Sequence, residues 1–324
     1  MRYFSAFTGV GGFDMGMPPD WECVGMSEID KYANMVLRYR FKDVKNYGDI
    51  EKINYEELPD FDVLIGGSPC QDISVAGKRA GLTGLRSRLF FSFVALLKSK
   101  QPDYFIFENV KGLLSSNEGR DLAEVINQFS EAGYDIWWQV LDATDFGIPQ
   151  HRERIFILGT LGGSGFRKVF LKRKDKEKDI ELQRQQANTI TRRYKQSQAT
   201  GTYIAECKFN AQIVASRGRM ENGQWVQKIE SRKDNKCNAL TSVQKDNMVS
   251  VDSRIRYLTP LECERLMGWS DNWTKYGIDG KGDIVELSDN ARYNLIGNGV
   301  VPQVVREIVR HIMNINYNET MIQV

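Results

Sequence analysis

Hydrophobic positions along the first 160 residues follow two different spacings. Short apolar runs at Tyr3–Phe7, Cys23–Ser27, Asp62–Ile65, Tyr104–Phe107, Ile136–Val140 and Ile155–Leu158 have the length and residue content of buried strands. Between them, Asp30–Arg40, Leu85–Lys98 and Arg120–Ala132 space their apolar residues three and four apart, as a helix with one buried face does. In the last of these, Leu122, Val125, Ile126 and Phe129 share one side and Gly133 suits the C-terminal cap. Strands alternating with helices predict an α/β fold, with a mostly parallel sheet covered on both faces.

The alternation stops near Leu161-Gly162-Gly163-Ser164-Gly165, which reads as a hinge. From there to about Val251 the chain is polar, basic and punctuated by Gly, Asn, Thr and Ser. Order returns at Thr259-Pro260-Leu261-Glu262, where a Thr N-cap, Pro at the first helical position and Glu at the third form a capping box. A final helix is expected over Pro302–Met313, with Val304, Val305, Ile308, Val309 and Ile312 turned toward the sheet. The chain thus divides into a domain at 1–164, a smaller one at 165–289 that includes the hinge, and a segment at 290–324 returning to the first.

At 324 residues there is ample core for such a division. No apolar run reaches the length of a membrane span, and Met1-Arg2-Tyr3-Phe4 leads straight into fold-forming sequence, so neither a membrane partner nor a targeting segment is expected. The five cysteines are widely spaced and form no CxxC pair, and the only histidines are His151 and His311. Free thiols in a reducing cytoplasm fit this better than disulfides or a metal site. Charge adds a partner. Residues 165–236 carry 18 Lys plus Arg against 8 Asp plus Glu in a chain of net charge +2, so a basic segment sits in an otherwise acidic protein. A polyanion is the expected partner.

Four segments carry candidate chemistry. Phe7-Thr8-Gly9-Val10-Gly11-Gly12 follows the first strand, and its glycines let a ligand approach the backbone. Glu28, just past the second strand, suits ribose hydroxyls, and Asp49 an adenine amino group. The glycine spacing departs from GxGxxG, so an adenosyl ligand without a pyrophosphate fits better than a nicotinamide dinucleotide. Gly67-Ser68-Pro69-Cys70-Gln71 aims a thiol from the end of the third strand, beside the Gly- and Arg-rich stretch Gln71–Arg88. Glu108 in Phe107-Glu108-Asn109-Val110 sits immediately after the fourth strand. Arg152 and Arg154, two apart at the start of another, project the same way. All would meet at the carboxyl edge of one sheet, where such folds place ligands.

In family order, FxGxGG at 7–12, PCQ at 69–71, ENV at 108–110, QxRxR at 150–154, TPLECERLMGW at 259–269 and GNxVV at 297–301 resemble the C5-cytosine DNA methyltransferases of prokaryotic or phage restriction-modification systems. Thr8 stands where Ala is common and Gly299 where Ser or Ala is common. The resemblance implies a Rossmann-like S-adenosylmethionine-dependent methyltransferase domain with a smaller target-recognition domain. Cys70 would attack C6 of a cytosine flipped out of double-stranded DNA, activating C5 for methylation. S-adenosyl-L-homocysteine would be the cofactor product. A free thiol of pKa ~8.5 is only about a few per cent ionised at neutral pH, so Arg152 or Arg154 would favour the thiolate and hold the nucleotide. Glu108 would hydrogen-bond N3, with a raised pKa.

Cofactor contacts are expected from Phe7, Thr8, Gly9, Val10, Gly11, Gly12, Glu28, Ile29, Asp49, Ile50, Gly67, Pro69, Leu89, Asn298 and Val300. DNA contacts are expected from Gln71, Ser87 and Arg88 on the closing loop, and from Arg192, Arg193, Arg217 and Arg219 in the recognition segment. The protein is expected to act as a cytoplasmic monomer without metal. A tRNA cytosine-5 methyltransferase and a non-catalytic DNA-binding relative are the competing readings; the long basic segment argues against the first, and the presence of Cys70 and Glu108 against the second.

Overall fold

Alternate residues of the central strands enter two different cores. In β1 (Arg2–Ala6), Tyr3 faces one and Phe4 the other; in β3 (Val63–Gly66), Val63 and Ile65 part from Leu64. The same period of two separates Ile106 from Phe105 and Phe107 in β4 (Tyr104–Val110). A sheet buried on both faces follows, and its near-continuous apolar runs are what made it legible in the sequence. The computed structural model describes residues 1–68, 87–162, 212–221, 224–231, 234, 236–240, 247–251 and 254–320.

With β2 (Glu22–Ser27), β5 (Tyr134–Asp142) and β7 (Glu153–Leu161), the strand order is β2-β1-β3-β4-β7-β5. The β2, β1, β3 and β4 pairings are parallel, whereas β7 runs antiparallel to both β4 and β5. The expected mostly parallel sheet is therefore correct with one reversed strand. That reversal brings the beginning of β7, rather than its end, to the edge where β1, β3 and β4 finish.

Helices α2 (Ser87–Lys100) and α3 (Arg120–Glu131) cover one face, where Phe90, Phe93, Phe105, Phe107 and Phe129 pack mostly edge to face. The other face receives α1 (Lys31–Arg40), which is capped by the Asp30 side chain accepting from Ala33 N, and the C-terminal third of the chain. There α4 (Pro260–Leu266) begins with the expected capping box: Thr259 Oγ1 accepts from Glu262 N at 3.3 Å, and Glu262 Oε2 accepts from Thr259 N at 2.8 Å. The chain continues through a hairpin of β13 (Tyr276–Ile278) and β14 (Ile284–Glu286), then α5 (Asp289–Gly297) and α6 (Pro302–Thr320). The hairpin and α5 had no clear periodic signature. Helix α6 runs past the expected Met313, and Val304, Val305, Ile308, Val309 and Ile312 are buried as expected.

The segment beyond residue 211 adds an antiparallel sheet in the order β12-β11-β8-β9, from β8 (Gln212–Glu221), β9 (Gln224–Ser231), β11 (Met248–Val251) and β12 (Arg254–Tyr257). A short parallel pairing joins β10 (Cys237–Asn238) to β6 (Gln150–His151). Leu258, Cys263, Leu266, Met267, Trp269 and Leu287 lie in the same apolar cluster as Tyr3 and Val10, so residues 258–287 are built into the first domain's core. Among the described residues no helix is long and apolar enough to cross a membrane.

Candidate active site

Glu108 lies inside β4 rather than just after it, because the strand continues to Val110 opposite Arg154. It shares a face with Ile106, and across the ladder Arg154 shares that face with Phe156. Arg154 Nε is 2.9 Å from Glu108 Oε1, with both side chains largely buried. Burial pushes the Glu108 carboxyl up; Arg154 and then Arg152 pull against it. A narrow pocket opens here, lined by Glu108, Arg152, Arg154 and Phe156 and closed by Val300 and Val304.

Arg152 is only 4% exposed and its guanidinium spans two segments. Nη1 donates to Leu240 O at 3.1 Å, and Nη2 to Gly297 O at 3.1 Å and Gly299 O at 2.6 Å. Gln150 is tied in the same way: its amide donates to Leu266 O at 2.8 Å and accepts from Leu240 N at 3.0 Å. Gln150 and Arg152, just ahead of β7, thus anchor the turn at 297–301, the backbone at Leu240 and the end of α4 at Leu266.

The glycine-rich loop lies beside this pocket. Phe7 at φ +53°, Gly9 at +58° and Gly11 at +84° turn the backbone out of β1, so the strand ends at Ala6, one residue earlier than expected. Glu28 Oε2 accepts from Gly9 N at 2.7 Å, while Oε1 accepts from Ile29 N and Asp30 N at 2.8 and 2.7 Å. Burial raises the Glu28 pKa against the pull of these three N–H groups. A side chain at Gly9 would meet nothing within 4 Å, and Ile29 beside it is 67% exposed, so the loop borders open space with an apolar flank. Gly12 touches the Val300 backbone, linking this loop to the 297–301 turn. An adenosyl group fits such a cradle: open backbone, a carboxylate with one oxygen making a single bond, and an exposed aliphatic side chain.

A family model for the C-5 cytosine-specific DNA methylases matches residues 1–314. The chain belongs to that family.

Among methylases of the family, M.Bsp6I of Bacillus sp. (strain RFL6), a Type II methyltransferase, is 33% identical over 329 residues, covering 96% of this chain and 98% of its own. The orphan methyltransferase M.Rho11sI of Bacillus phage rho11s is 45% identical over 164 residues, 49% of this chain. The matches to it, to M.SPRI of Bacillus phage SPR and to M.BsuFI of Bacillus subtilis span 33%, 37% and 39% of those proteins' own lengths. Among solved structures, the S. pombe Dnmt2 methyltransferase superposes with TM-score 0.65 at 17% identity, covering 95% of this chain and 97% of that one. The Entamoeba histolytica methyltransferase EhMeth does so at 0.64 and 17%, covering 97% and 98%. At that identity the likeness is one of fold.

Of the candidate site residues that are described, Glu108, Arg152, Arg154 and Val300 line one pocket. Pro69, Cys70, Gln71, Arg192 and Arg193 lie outside the described residues. Gly67 lies against Glu108, and Ser68, the last described residue before the thiol, is buried. Asp49 accepts from Glu51 N at 3.1 Å and sits 3.1 Å from Lys52 Nζ, on the same loop as the buried Ile50. Ser87 starts α2; Arg88 is exposed and 3.3 Å from Glu51, and Leu89 is partly buried in the Phe-rich core. Thr8 Oγ1 donates to Ser5 O at 2.9 Å. Asn298 caps α5, and Val300 O accepts from Trp269 Nε1 at 2.9 Å. Arg217 and Arg219 fall on β8, opposite Lys228 and Val226.

Sequence reasoning passed over three side chains that organise this edge. Trp269 and Trp273 donate their indole N–H to the carbonyls of Val300 and Val10. His151 places Nδ1 2.9 Å from Asp142 and Nε2 3.1 Å from Asp234. Their partners are 31, 263 and up to 83 residues away, so no local pattern marks them. Among the described residues, no group of three or more His, Cys, Asp or Glu is arranged to hold a metal ion.

Proposed function

We propose that the protein is a DNA (cytosine-5-)-methyltransferase that uses S-adenosylmethionine and forms a covalent bond between Cys70 and C6 of its target cytosine. The observation that carries this is the Glu108–Arg154 pair at 2.9 Å in a pocket that adjoins both the glycine loop and the strand leading to Cys70.

Bound against Phe7–Gly12, Glu28–Ile29, Asp49–Ile50 and the 298–300 turn, S-adenosylmethionine would supply a sulfonium methyl group open to displacement by a carbon nucleophile. Cytosine C5 lacks the electron density for that. Addition of the Cys70 thiolate to C6 converts the ring to an enamine with its density at C5. Glu108, whose carboxyl burial pushes up, would share a proton with N3 and stabilise the charge that gathers there. Arg154 fixes the orientation of Glu108. Arg152 holds the wall of the pocket through Gly297 and Gly299. Loss of the C5 proton then allows β-elimination, which returns the thiolate and frees the methylated base.

A base inside a duplex cannot reach this pocket, so it must be extruded, at a cost of roughly a few kcal/mol. The Gln71–Arg88 segment is proposed to close over it, with Gln71 or Ser87 filling the gap. Residues 165–257 are proposed to read the site, with Arg192, Arg193, Arg217 and Arg219 as base or phosphate contacts. Residues 258–287, whose apolar side chains share a core with Tyr3 and Val10, are proposed to work with the catalytic domain. The protein is proposed to work as a cytoplasmic monomer.

The deciding experiment supplies duplex DNA carrying 5-fluorocytosine in the recognition site together with cofactor. The expected result is a stable protein–DNA adduct mapping to residue 70 and absent in Cys70→Ser. A reaction with tRNA alone, or methylation that survives Cys70→Ser, would overturn the proposal.

A further inference from the structure

The loop proposed to hold the adenosyl group is gripped at two neighbouring residues from opposite sides. Glu28 accepts from Gly9 N at 2.7 Å, and Trp273 Nε1 donates to Val10 O at 2.8 Å. Val10 is 1% exposed, so its carbonyl would find no water if that donor left.

Trp273 is itself closely set. The guanidinium of Arg40, at the end of α1, lies 4.6 Å from the Trp273 ring centroid. It also donates to the Trp273 carbonyl at 3.1 and 3.0 Å and to Asn272 O at 2.6 Å. On either side, Asn272 N and Thr274 N each donate to the fully buried Glu264 at 2.8 Å. Asn272 holds a φ of +60°, in the left-handed region that Asn enters more readily than other non-glycine residues. Phe41, next to Arg40, packs edge-on to Trp273 at 6.1 Å, and its ring occupies the space a side chain at Gly11 would need. Arg40 ends the helix that starts just after Glu28-Ile29-Asp30. One helix therefore carries both grips: its N-terminal approach binds the loop directly, and its C-terminal end sets the indole.

We propose that Trp273 is a positioning residue for the cofactor loop and that Arg40 sets Trp273, an inference that rests on the S-adenosylmethionine reading of that loop. Neither residue touches the pocket around Glu108. Their effect falls on the binding of the cofactor and leaves the chemical step alone.

The test is Trp273→Phe, which keeps an aromatic ring but removes the N–H together with the fused second ring, alongside Arg40→Lys, which keeps the charge and loses the fork. S-adenosylmethionine binding is read by calorimetry, and its KM, the DNA KM and kcat by steady-state methyl transfer. Trp273→Phe is expected to raise both cofactor constants about tenfold, the size of one lost hydrogen bond. The DNA KM and kcat should stay within about twofold, and Arg40→Lys should move the same constants less. Unchanged cofactor constants in both variants, or a fall in kcat with KM unaltered, would overturn the proposal. A wild-type protein that binds no S-adenosylmethionine would overturn the reading of the loop, and this proposal with it.

Discussion

Gly67 lies so close to Glu108 that a methyl group on it would meet the Glu108 carbonyl at 2.8 Å and its Oε2 at 2.9 Å. The strand leading to the thiol and the residue proposed to hold N3 are therefore in backbone contact. Gly67→Ala should push Glu108 off Arg154. The expected cost is ~1–3 kcal/mol in a urea melt, with turnover falling about tenfold or more. A variant as stable and active as the parent would show that the contact is slack.

Arg152 offers a second test, since its two terminal nitrogens serve three carbonyls on separate segments. Lysine brings one ammonium and cannot span them. Arg152→Lys should lose ~3 kcal/mol of stability by chemical denaturation, the sum expected for one or two charged-donor bonds broken in a buried site.

Gly299 shows why this chain departs from the commoner Ser or Ala. A Cβ there would run into the six-membered ring of Trp269. Gly299→Ala alone should destabilise by ~1–3 kcal/mol, and Trp269→Phe alone by a similar amount through loss of the bond to Val300 O. Combined, the smaller phenyl ring makes room for the methyl. The double variant should recover at least ~0.5 kcal/mol relative to additivity in a double-mutant cycle.

Asp14 sits beneath the glycine loop and accepts from Ser5 Oγ at 3.1 Å, with the Cys23 thiol 3.8 Å away. Burial pushes its pKa up to about 6 despite those donors. A carboxyl whose pKa is higher folded than unfolded favours the folded state at low pH. That contribution is present below about pH 4 and lost as pH rises to about 6. Asp14→Asn lacks the titration. Its stability relative to the parent should therefore improve by up to ~3 kcal/mol between pH 4 and pH 7. A flat difference across that range in urea melts would contradict the shift.

Much of this was readable from the sequence because it is local. The strands announced themselves by short apolar runs, α3 by a single apolar stripe, and the Thr259 capping box by residues three apart. The candidate site was legible where a strand ends in a chemically distinctive residue, as at Glu108 and the two arginines. What escaped notice depends on distant partners. Nothing near Arg152 in the sequence marks the carbonyls at 240, 297 and 299 that its guanidinium holds. The reversed direction of β7 has no local signature at all, since a strand's own pattern is the same read either way. The tryptophans at 269 and 273 are set apart by their N–H partners, which are 31 and 263 residues away.

The pocket has walls from both ends of the polypeptide: Glu108 and Arg154 from its first half, and Val300, Val301 and Val304 from its last 25 residues. Helix α6 also packs on the short helix after the glycine loop, where Val305 fills the space beside Gly16 and Arg306 reaches Met15 O at 3.3 Å. A nascent chain still lacking its final helix would hold its reactive groups on an unfinished surface. The site is therefore complete only once α6 has been made and has packed against the glycine loop's short helix.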